Sequence, residues 1–327
     1  MEEGLSRKER HQKDRHRWWG MAALYLVAIV VVALLAAELN FTSWAAEKAG
    51  AGAPDAAAGE AQKDAPAEEK PPEEPTAYVL AKDDYSNLVG MTDPDKPVFD
   101  RYTNEDRLAQ GLPTALPPGI APYTQEPVAY LTFDDGPDDN NTIAILDILK
   151  AEGVHGTFYV TGQMSEAHPD VLRRIFDEGH AIGNHSYDHN YRDLYASKDN
   201  FLAQLRHTDA IIYSILGVRP LIVRAPGGTV GMFQDDFYTA LDENGYVEHD
   251  WNVCTNDATG ERPNAARQLY YVDSQTQGGM KDGAALVLMH CAGGKEETVK
   301  ALPDIIHLLR DKGYRFGVVT PMTPQPW

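Results

Sequence analysis

The 327-residue chain has little cysteine and a deficit of basic side chains. Its two cysteines allow one disulfide at most. Lys and Arg total 29 against 49 Asp and Glu, which gives a formal net charge of −20 at pH 7. Nucleic-acid-binding proteins usually present a basic face to phosphates, so this balance argues against that class of function. No internal repeat is visible, and the sequence therefore does not indicate a repeat architecture.

Long apolar runs are also scarce, with one clear exception near the N-terminus. Trp18 to Ala37 is an uncharged, mostly apolar stretch, about as long as a helix that crosses a bilayer. Because Lys and Arg residues precede it, we predict a cytoplasmic tail over 1–17, a single-pass transmembrane anchor over 18–38 and an extracytoplasmic remainder. Secretion after cleavage near Ser43-Trp44-Ala45 is the alternative, although the run is longer than the usual core of a signal peptide.

Large apolar side chains are almost absent between Glu47 and Pro75, where Ala, Glu, Lys and Pro dominate. Such a segment cannot bury enough surface to offset the entropy of ordering it, so we predict a disordered stalk over 39–75. The next segment, 76–126, is rich in Pro, Asp and Asn with scattered Tyr and Leu. It is a lead-in of unknown role. It either packs on the domain that follows or is a partly ordered linker, and the linker is the simpler interpretation.

From Pro127 onward, short apolar runs alternate with helical patterns. The runs lie at 127–133, 156–160, 181–184, 221–224, 246–251, 284–290 and 314–319. This alternation predicts an α/β domain of parallel β/α units over 127–327, which is long enough for one substantial core.

The sequence Thr132-Phe133-Asp134-Asp135-Gly136-Pro137 places two carboxylates at the end of the first of these runs. Val128 to Phe133 is β-branched and aromatic and stops at Gly-Pro, which is typical of a buried strand that ends in a turn. Side chains alternate between faces within a strand, but beyond its end both carboxylates can turn toward one cleft.

Further along, His185-Ser186-Tyr187-Asp188-His189 supplies two imidazoles four residues apart. They share a face if the segment from Ser186 onward is helical. Two His and one Asp meet the needs of a divalent ion that keeps a position open for water, and the second Asp is then available as a base. An ordinary Asp-Gly-Pro turn and an incidental pair of histidines are the non-functional alternatives.

Together and in this order, the motifs resemble those of the NodB-type polysaccharide deacetylases, carbohydrate esterase family 4. The resemblance extends from about Pro127 to the end of the chain. In the first motif of that family the first Asp is the general base and the second a metal ligand, which implies these roles for Asp134 and Asp135. The second motif supplies two histidine ligands, which implies the same role for His185 and His189.

Two further motifs resemble the third and fourth of the family. The third, Arg224-Ala225-Pro226-Gly227-Gly228, implies that Arg224 holds the catalytic Asp by a salt bridge and that the main chain at Gly227 helps bind an oxyanion. A glycine stands there where many relatives carry Tyr. The fourth, Trp251 to Asp257, implies an aromatic wall at Trp251 and a carboxylate at Asp257 that orients Arg224.

The run Leu286-Val287-Leu288-Met289-His290 resembles the fifth motif. It implies that Leu288 lines an acetyl pocket and that His290 is the general acid. Four of the five motifs follow or end a predicted strand, which places them at the C-terminal face of a barrel. The resemblance sharpens the expected fold to a distorted, incomplete (β/α) barrel, the NodB homology fold.

The resemblance implies a metal-dependent hydrolase that removes N-acetyl groups from cell-envelope polysaccharide, with peptidoglycan N-acetylglucosamine as the leading substrate. Such a reaction needs an activated water, a stabilised oxyanion and a proton for the amine, and the motifs offer one of each. The expected cofactor is one divalent ion, zinc first, with cobalt, nickel or manganese as alternatives. Alternative activities are a chitooligosaccharide or poly-N-acetylglucosamine deacetylase, a muramic-acid deacetylase, an acetylxylan esterase, or a non-enzymatic wall-glycan binding protein.

The expected partners are the glycan and, through the N-terminal helix, the membrane, with no nucleic acid and no obligate protein partner. The two cysteines, Cys254 in the fourth motif and Cys291 after His290, would lie at the mouth of the same site. Relatives often carry Asp at both positions. A disulfide is one interpretation, and it would persist in an extracytoplasmic setting. Two free thiols or an alternative soft metal ligand are the other interpretations.

Overall fold

The computed structural model describes residues 77–80, 93, 95–116, 127–278 and 283–324. The predicted tail, anchor and stalk lie outside these residues. Within the described ranges, no helix combines the length and the apolar character that a membrane span requires.

The described residues form short strands and helices that mostly alternate along the chain. The strands are β1 (Tyr78–Leu80), β2 (Val98–Asp100), β3 (Val128–Asp134), β4 (Thr157–Val160), β5 (Ala181–Asn184), β6 (Arg219–Pro220), β7 (Ile222–Val223), β8 (Val247–Glu248), β9 (Val253–Cys254), β10 (Ala284–His290) and β11 (Arg315–Gly317). The helices are α1 (Asn104–Ala109), α2 (Asn141–Glu152), α3 (Gly162–Ala167), α4 (Pro169–Asp177), α5 (Tyr191–Leu194), α6 (Lys198–Leu216), α7 (Asp235–Glu243), α8 (Ala265–Gln275) and α9 (Glu296–Asp311).

The main sheet is a curled half-barrel in which every described pairing is parallel. Its strand order is β8-β7-β5-β4-β3-β10-β9, and β11 also pairs with β3. Strand β3 is central, because β10 pairs with its whole length while β11 and β4 share its other side. The prediction of parallel β/α units in an incomplete barrel is therefore confirmed.

The two faces of β3 have different surroundings, although all seven of its residues are buried. Ala129, Leu131 and Phe133 belong to the large core cluster that also contains apolar residues of α2, α4 and α9. Val128 and Tyr130 belong to a second cluster inside the curl of the sheet. Because side chains alternate along a strand, Thr132 and Asp134 continue this inner row. The strand therefore carries a carboxylate to the C-terminal end of the barrel interior.

Strand β10 repeats this pattern in register with β3. Its Ala284 and Leu286 lie in the same inner cluster, and alternation continues the row to Leu288 and His290. His290 is the direct register partner of Asp134. The two side chains thus leave neighbouring strands at the same end and on the same face of the sheet.

The described part of the lead-in is built onto the domain. β1 pairs in parallel with β2, and β2 pairs antiparallel with β6. Asp100 of β2 and Arg107 of α1 form a two-pronged ion pair with N to O distances of 2.6 and 2.9 Å, and neither side chain is exposed. Arg219 of β6 lies 3.6 Å from the same carboxylate. Residues 95–116 therefore pack on the domain, in line with one of the two interpretations of the lead-in.

Candidate active site

The loop after β3 presents two adjacent carboxylates to one histidine. Asp134 Oδ2 lies 3.7 Å from His185 Nε2, and Asp135 Oδ1 lies 3.5 Å from the same atom. Asp135 has a φ of 74°, a left-handed conformation that aspartate tolerates better than most residues. The strand break thus turns both carboxylates toward one site, as the sequence predicts.

The second histidine motif follows β5 as a turn rather than as the helix that would place both histidines on one face. Ser186 and His189 both have positive φ values, 67° and 57°, which a helix cannot include. Side chains hold the turn instead, since Ser186 N donates to Asn184 Oδ1 and His189 N donates to Ser186 Oγ. The two imidazoles still converge, with ring centroids 5.1 Å apart.

Asp135, His185 and His189 have the spacing that a divalent ion requires. Asp135 Oδ1 lies 3.5 Å from Nε2 of each histidine, and the three ligand atoms all lie within 4.8 Å of one another. Tetrahedral bonds of about 2.0–2.1 Å would separate neighbouring ligands by about 3.4 Å. Asp135 Oδ1 is buried and makes no hydrogen bond among the described residues. The three side chains therefore fit a metal ion.

The protonation of His185 also suits a metal ligand. Its Nδ1–H donates to Arg224 O over 2.8 Å, which leaves the Nε2 lone pair directed at the ligand set. Burial lowers the pKa of His185 below its ordinary value, although Asp134 and Asp135 oppose that effect. The neutral imidazole that coordination needs is thereby favoured.

Arg224 holds Asp134 in the interior, as the third motif implies. Arg224 Nη1 donates to Asp134 Oδ1 over 2.9 Å and to Thr132 Oγ1 over 2.6 Å. The guanidinium is fully buried and lies over the Tyr159 ring, 4.1 Å from its centroid. Its remaining nitrogens donate to main-chain oxygens of His249 and Asp250. A buried carboxylate paired in this way keeps one oxygen bound and the other available.

Asp257 contacts His290, the predicted general acid, and does not contact Arg224 as expected. The expected role of Asp257 in orienting Arg224 is therefore corrected. His290 Nδ1–H donates to Asp257 Oδ1 over 2.8 Å, and His290 N donates to Asp257 Oδ2 over 2.9 Å. The physical reason is the strand order, because Asp257 follows β9, the neighbour of β10, whereas Arg224 follows β7 on the far side of β3.

The contact with Asp257 determines the charge of His290. Burial lowers the pKa of His290, but the hydrogen bond and the negative charge of Asp257 outweigh it, and the pKa is raised above its ordinary value. Thr298 Oγ1 also donates to Asp257 Oδ2, over 2.8 Å. The protonated ring is therefore favoured relative to an ordinary imidazole, and no described residue forms a hydrogen bond with its second nitrogen, Nε2.

The third-motif loop depends on glycine at two positions. Gly227 and Gly228 have φ values of 77° and 83°, and a Cβ on Gly228 would lie 3.1 Å from the Trp251 ring. No described residue accepts a hydrogen bond from Gly227 N–H, so that donor is available to a ligand. Asp250 fixes the next turn, because its carboxylate accepts from Thr229 N and Thr229 Oγ1.

Trp251 and Leu288 occupy positions that suit the walls of a pocket. Trp251 packs against the inner cluster, with its ring 5.8 Å from the Arg224 guanidinium. Leu288 lies on the inner row of β10, two residues before His290, and is 6% exposed. Their contact with an acetyl group stays a prediction.

The proposed disulfide is not formed, and both cysteines are free. Cys254 pairs in register with Leu288 of the inner row, while Cys291 is buried in the core cluster on the opposite face. Cys254 Sγ contacts Asn256, and Cys291 Sγ lies 3.4 Å from Asp134 O. Side chains on opposite faces of a sheet cannot meet in a disulfide without moving the backbone.

Sequence reasoning missed several residues of the site. Thr132 and Tyr159 support Arg224, Asp250 holds the third-motif loop, and Tyr191 lies beside His189. Thr132 lies within the first motif, Asp250 directly precedes the fourth, and Tyr191 follows His189 by two residues, so their positions could have indicated them. Tyr159 carries no such signal, since only the fold brings it to the site.

A buried carboxylate held by arginine, an imidazole held by a second carboxylate and an Asp-His-His set that fits a metal ion lie together at one end of the parallel sheet, an arrangement that suits a hydrolase. Comparisons with known proteins agree. The polysaccharide deacetylase family model matches residues 121–249. A peptidoglycan-N-acetylglucosamine deacetylase of Bacillus cereus is 33% identical over 203 residues, which cover 62% of this chain and 70% of that protein.

Two further relatives extend the comparison. The peptidoglycan-N-acetylmuramic acid deacetylase PdaA of Bacillus subtilis is 32% identical over 196 residues, which cover 59% of this chain and 70% of that protein. The structure of a Streptococcus mutans CE4 esterase matches with a TM-score of 0.57 and 32% identity, over 59% of this chain and 86% of that one. The chain belongs to the polysaccharide deacetylase family and is an enzyme, so the resemblance carried by its five motifs is confirmed.

Proposed function

We propose that this enzyme is a metal-dependent hydrolase that removes N-acetyl groups from cell-envelope polysaccharide, and that its substrate is the N-acetylglucosamine of peptidoglycan. The observation that carries the proposal is the register pairing of Asp134 with His290 beside the Asp135, His185 and His189 set. Amide hydrolysis needs a base, an acid and an electrophile at one place, and these residues would supply all three.

A divalent ion held by Asp135, His185 and His189 would supply Lewis-acid polarisation of the acetyl carbonyl and of the attacking water. We propose zinc, with cobalt, nickel and manganese as alternatives, because imidazole and carboxylate ligands suit all four. The buried Asp135 oxygen without a hydrogen bond among the described residues supports such an occupant.

The proton transfers fall to residues of the chain. Arg224 binds Asp134 Oδ1, so Asp134 Oδ2, which faces His185, accepts the proton of the attacking water. The Gly227 N–H donates to the oxygen that becomes negatively charged as the tetrahedral centre forms. His290 then donates its Nε2 proton to the departing amine, while Asp257 stabilises the imidazolium through Nδ1.

The choice of sugar rests on the relatives. The Bacillus cereus relative is named for N-acetylglucosamine and the Bacillus subtilis relative for N-acetylmuramic acid of the same polymer. We propose N-acetylglucosamine because two Bacillus cereus relatives are named for that sugar, and muramic acid is the second candidate. Catalytic residues do not separate the two, since selectivity lies in loop shape.

The proposed setting of the enzyme follows from residues outside the described ranges. We propose that 18–38 anchors the chain in the membrane with 1–17 in the cytoplasm, and that 39–75 is a stalk that lets the domain of 127–327 reach the wall. The acidic, apolar-poor composition of the stalk supports this arrangement.

Acetate release by the full chain tests the proposal. Peptidoglycan, muramic-acid-containing fragments, chitooligosaccharides and acetylxylan are supplied separately, with Asp134→Asn as the control for contaminating activity. We expect metal-dependent release from peptidoglycan with free amine appearing on glucosamine. Amine on muramic acid would favour the second candidate, and no release by metal-loaded protein would reject the proposal in favour of a glycan-binding role.

A further inference from the structure

Tyr191 begins α5 directly after the second histidine motif, and its ring packs against a proposed metal ligand. The Tyr191 and His189 rings meet edge to face with centroids 5.2 Å apart. On another side the Tyr191 ring contacts Tyr195, whose centroid is 5.9 Å away. The Tyr191 side chain is 41% exposed, so it lies at the open side of the site rather than in the core.

The Tyr191 hydroxyl lies over Gly227. A Cβ built on Gly227 would be 2.6 Å from Tyr191 Oη and 2.8 Å from Tyr191 Cε1, which is closer than nonbonded atoms approach. A side chain at 227 and the phenol at its present position therefore exclude each other. The glycine at this position, with its φ of 77°, is what allows the phenol to cover the loop.

The two neighbouring phenols differ in what their hydroxyls contact. Tyr195 Oη donates to Pro226 O over 2.7 Å and is committed to holding the loop. Tyr191 Oη makes no hydrogen bond within the described residues. It therefore offers an unused O–H donor beside the unused N–H of Gly227.

We propose that Tyr191 is a substrate-binding residue, whose hydroxyl donates a hydrogen bond to an oxygen of the N-acetylated sugar at the Gly227 loop. This inference rests on the proposed function. The acceptor is an acetamide or hydroxyl oxygen of the sugar, because the Tyr191 ring contacts His189, its hydroxyl lies beside Gly227, and acetylated sugars carry acceptors of this kind.

Tyr191→Phe removes the hydroxyl and keeps the ring against His189. We expect kcat/KM for acetate release to fall about tenfold, as for loss of one hydrogen bond to substrate, with unchanged metal affinity and melting temperature. Tyr238→Phe is the matched control, because Tyr238 lies on α7 rather than at the site. Tyr238 is similarly exposed, at 44%, and its ring contacts Phe233. Its kcat/KM should stay within about twofold of wild type.

Two results would overturn the inference. Equal kcat/KM values for wild type and Tyr191→Phe would show that the hydroxyl contacts no substrate. A loss of activity that parallels a loss of metal affinity, measured by competition with a chelating dye, would make Tyr191 a packing residue for His189.

A double-mutant cycle tests the position of the phenol. Gly227→Ala should displace the phenol, so the losses of kcat/KM caused by Gly227→Ala and by Tyr191→Ala should not add fully in the double variant. Backbone strain from Gly227→Ala is present with and without the phenol and therefore cancels in the cycle. Fully additive losses would contradict the inference. No acetate release by wild type from any N-acetylated glycan would reject the proposed function and this inference with it, whereas an active wild type with an unaffected Tyr191→Phe rejects the inference alone.

Discussion

Replacing Asp257 with Asn should shift the pH range in which the enzyme works. Asp257 accepts hydrogen bonds from both Nδ1 and the main-chain N of His290. An asparagine keeps an oxygen acceptor for Nδ1–H and removes the negative charge, but its NH2 group replaces the oxygen that accepts from His290 N and Thr298 Oγ1. The variant therefore tests the negative charge of Asp257, and a second variant that alters only the Oδ2 contact is needed beside it.

The sign of the shift follows from the pKa of His290. A general acid acts when protonated, so its contribution is present below its pKa and is lost as the pH rises through it. Asp257 raises that pKa above the ordinary 6.5 against the effect of burial, which alone lowers it. A hydrogen bond to a charged group is worth about 1.5–3 kcal/mol, and one pH unit corresponds to about 1.4 kcal/mol. The alkaline limb should therefore move down by about 1–2 units.

The assay is kcat/KM for acetate release measured across pH for wild type and Asp257→Asn. Thr298→Val is the control, since it removes the Thr298 Oγ1 bond to the same carboxylate and leaves the charge in place. Its alkaline limb should stay within a few tenths of a unit of wild type. Coincident alkaline limbs for wild type and Asp257→Asn would refute the assignment of His290 as an acid supported by Asp257.

Three further predictions concern stability and thiols. Asp100→Ala leaves the fully buried Arg107 without its bidentate partner and should lower the free energy of unfolding by about 3–5 kcal/mol in urea titrations; a loss below about 1 kcal/mol would refute a structural role for the lead-in. Burial lowers the pKa of His180 from its ordinary 6.5 to about 3. Between these two pH values His180 is protonated in the unfolded chain but not in the folded chain, so stability is lost as the pH falls from 6.5. The melting temperature of His180→Asn should then fall less than that of wild type between pH 7 and pH 4.5, and parallel curves would count against this. Without reductant, both thiols should react with an alkylating reagent in denaturant. In the native protein, Cys291 should react far more slowly than Cys254, because Cys291 is fully buried and its pKa is raised. Protein that stays unalkylated in denaturant, with a mass two hydrogens below that of the reduced chain, would indicate a disulfide.

The parallel sheet was predictable because its strands are buried on both faces and read as continuous apolar runs. β3 and β10 show this most clearly, and both begin and end close to the predicted bounds. β1, β2, β6 and β9 were not predicted, since strands of two or three residues carry no periodic signal unless they lie within a longer apolar run, as β7, β8 and β11 do. Their existence depends on long-range contacts such as the pairing of β2 with β6.

The site was predictable in its residues but not in its contacts. The motifs identify Asp135 and His189, yet their positive φ values depend on local hydrogen bonds that spacing does not reveal. The spacing of the histidines therefore did not show that a turn, rather than a helix, brings them together. Asp257 was predicted to contact Arg224 because the motifs do not reveal the strand order, which places Asp257 beside β10 and His290. Tyr191 was not predicted at all, because its relation to Gly227 exists only once two loops meet.

Metal binding and proton abstraction should belong to different carboxylates of the Asp134–Asp135 pair. Bound metal, measured by mass spectrometry of the native protein, and acetate release are compared for wild type, Asp134→Asn and His185→Ala. We expect Asp134→Asn to keep its metal and lose turnover by at least about a hundredfold, and His185→Ala to lose both. Full activity in Asp134→Asn would contradict its role as the base, and undiminished metal in His185→Ala would contradict its role as a ligand.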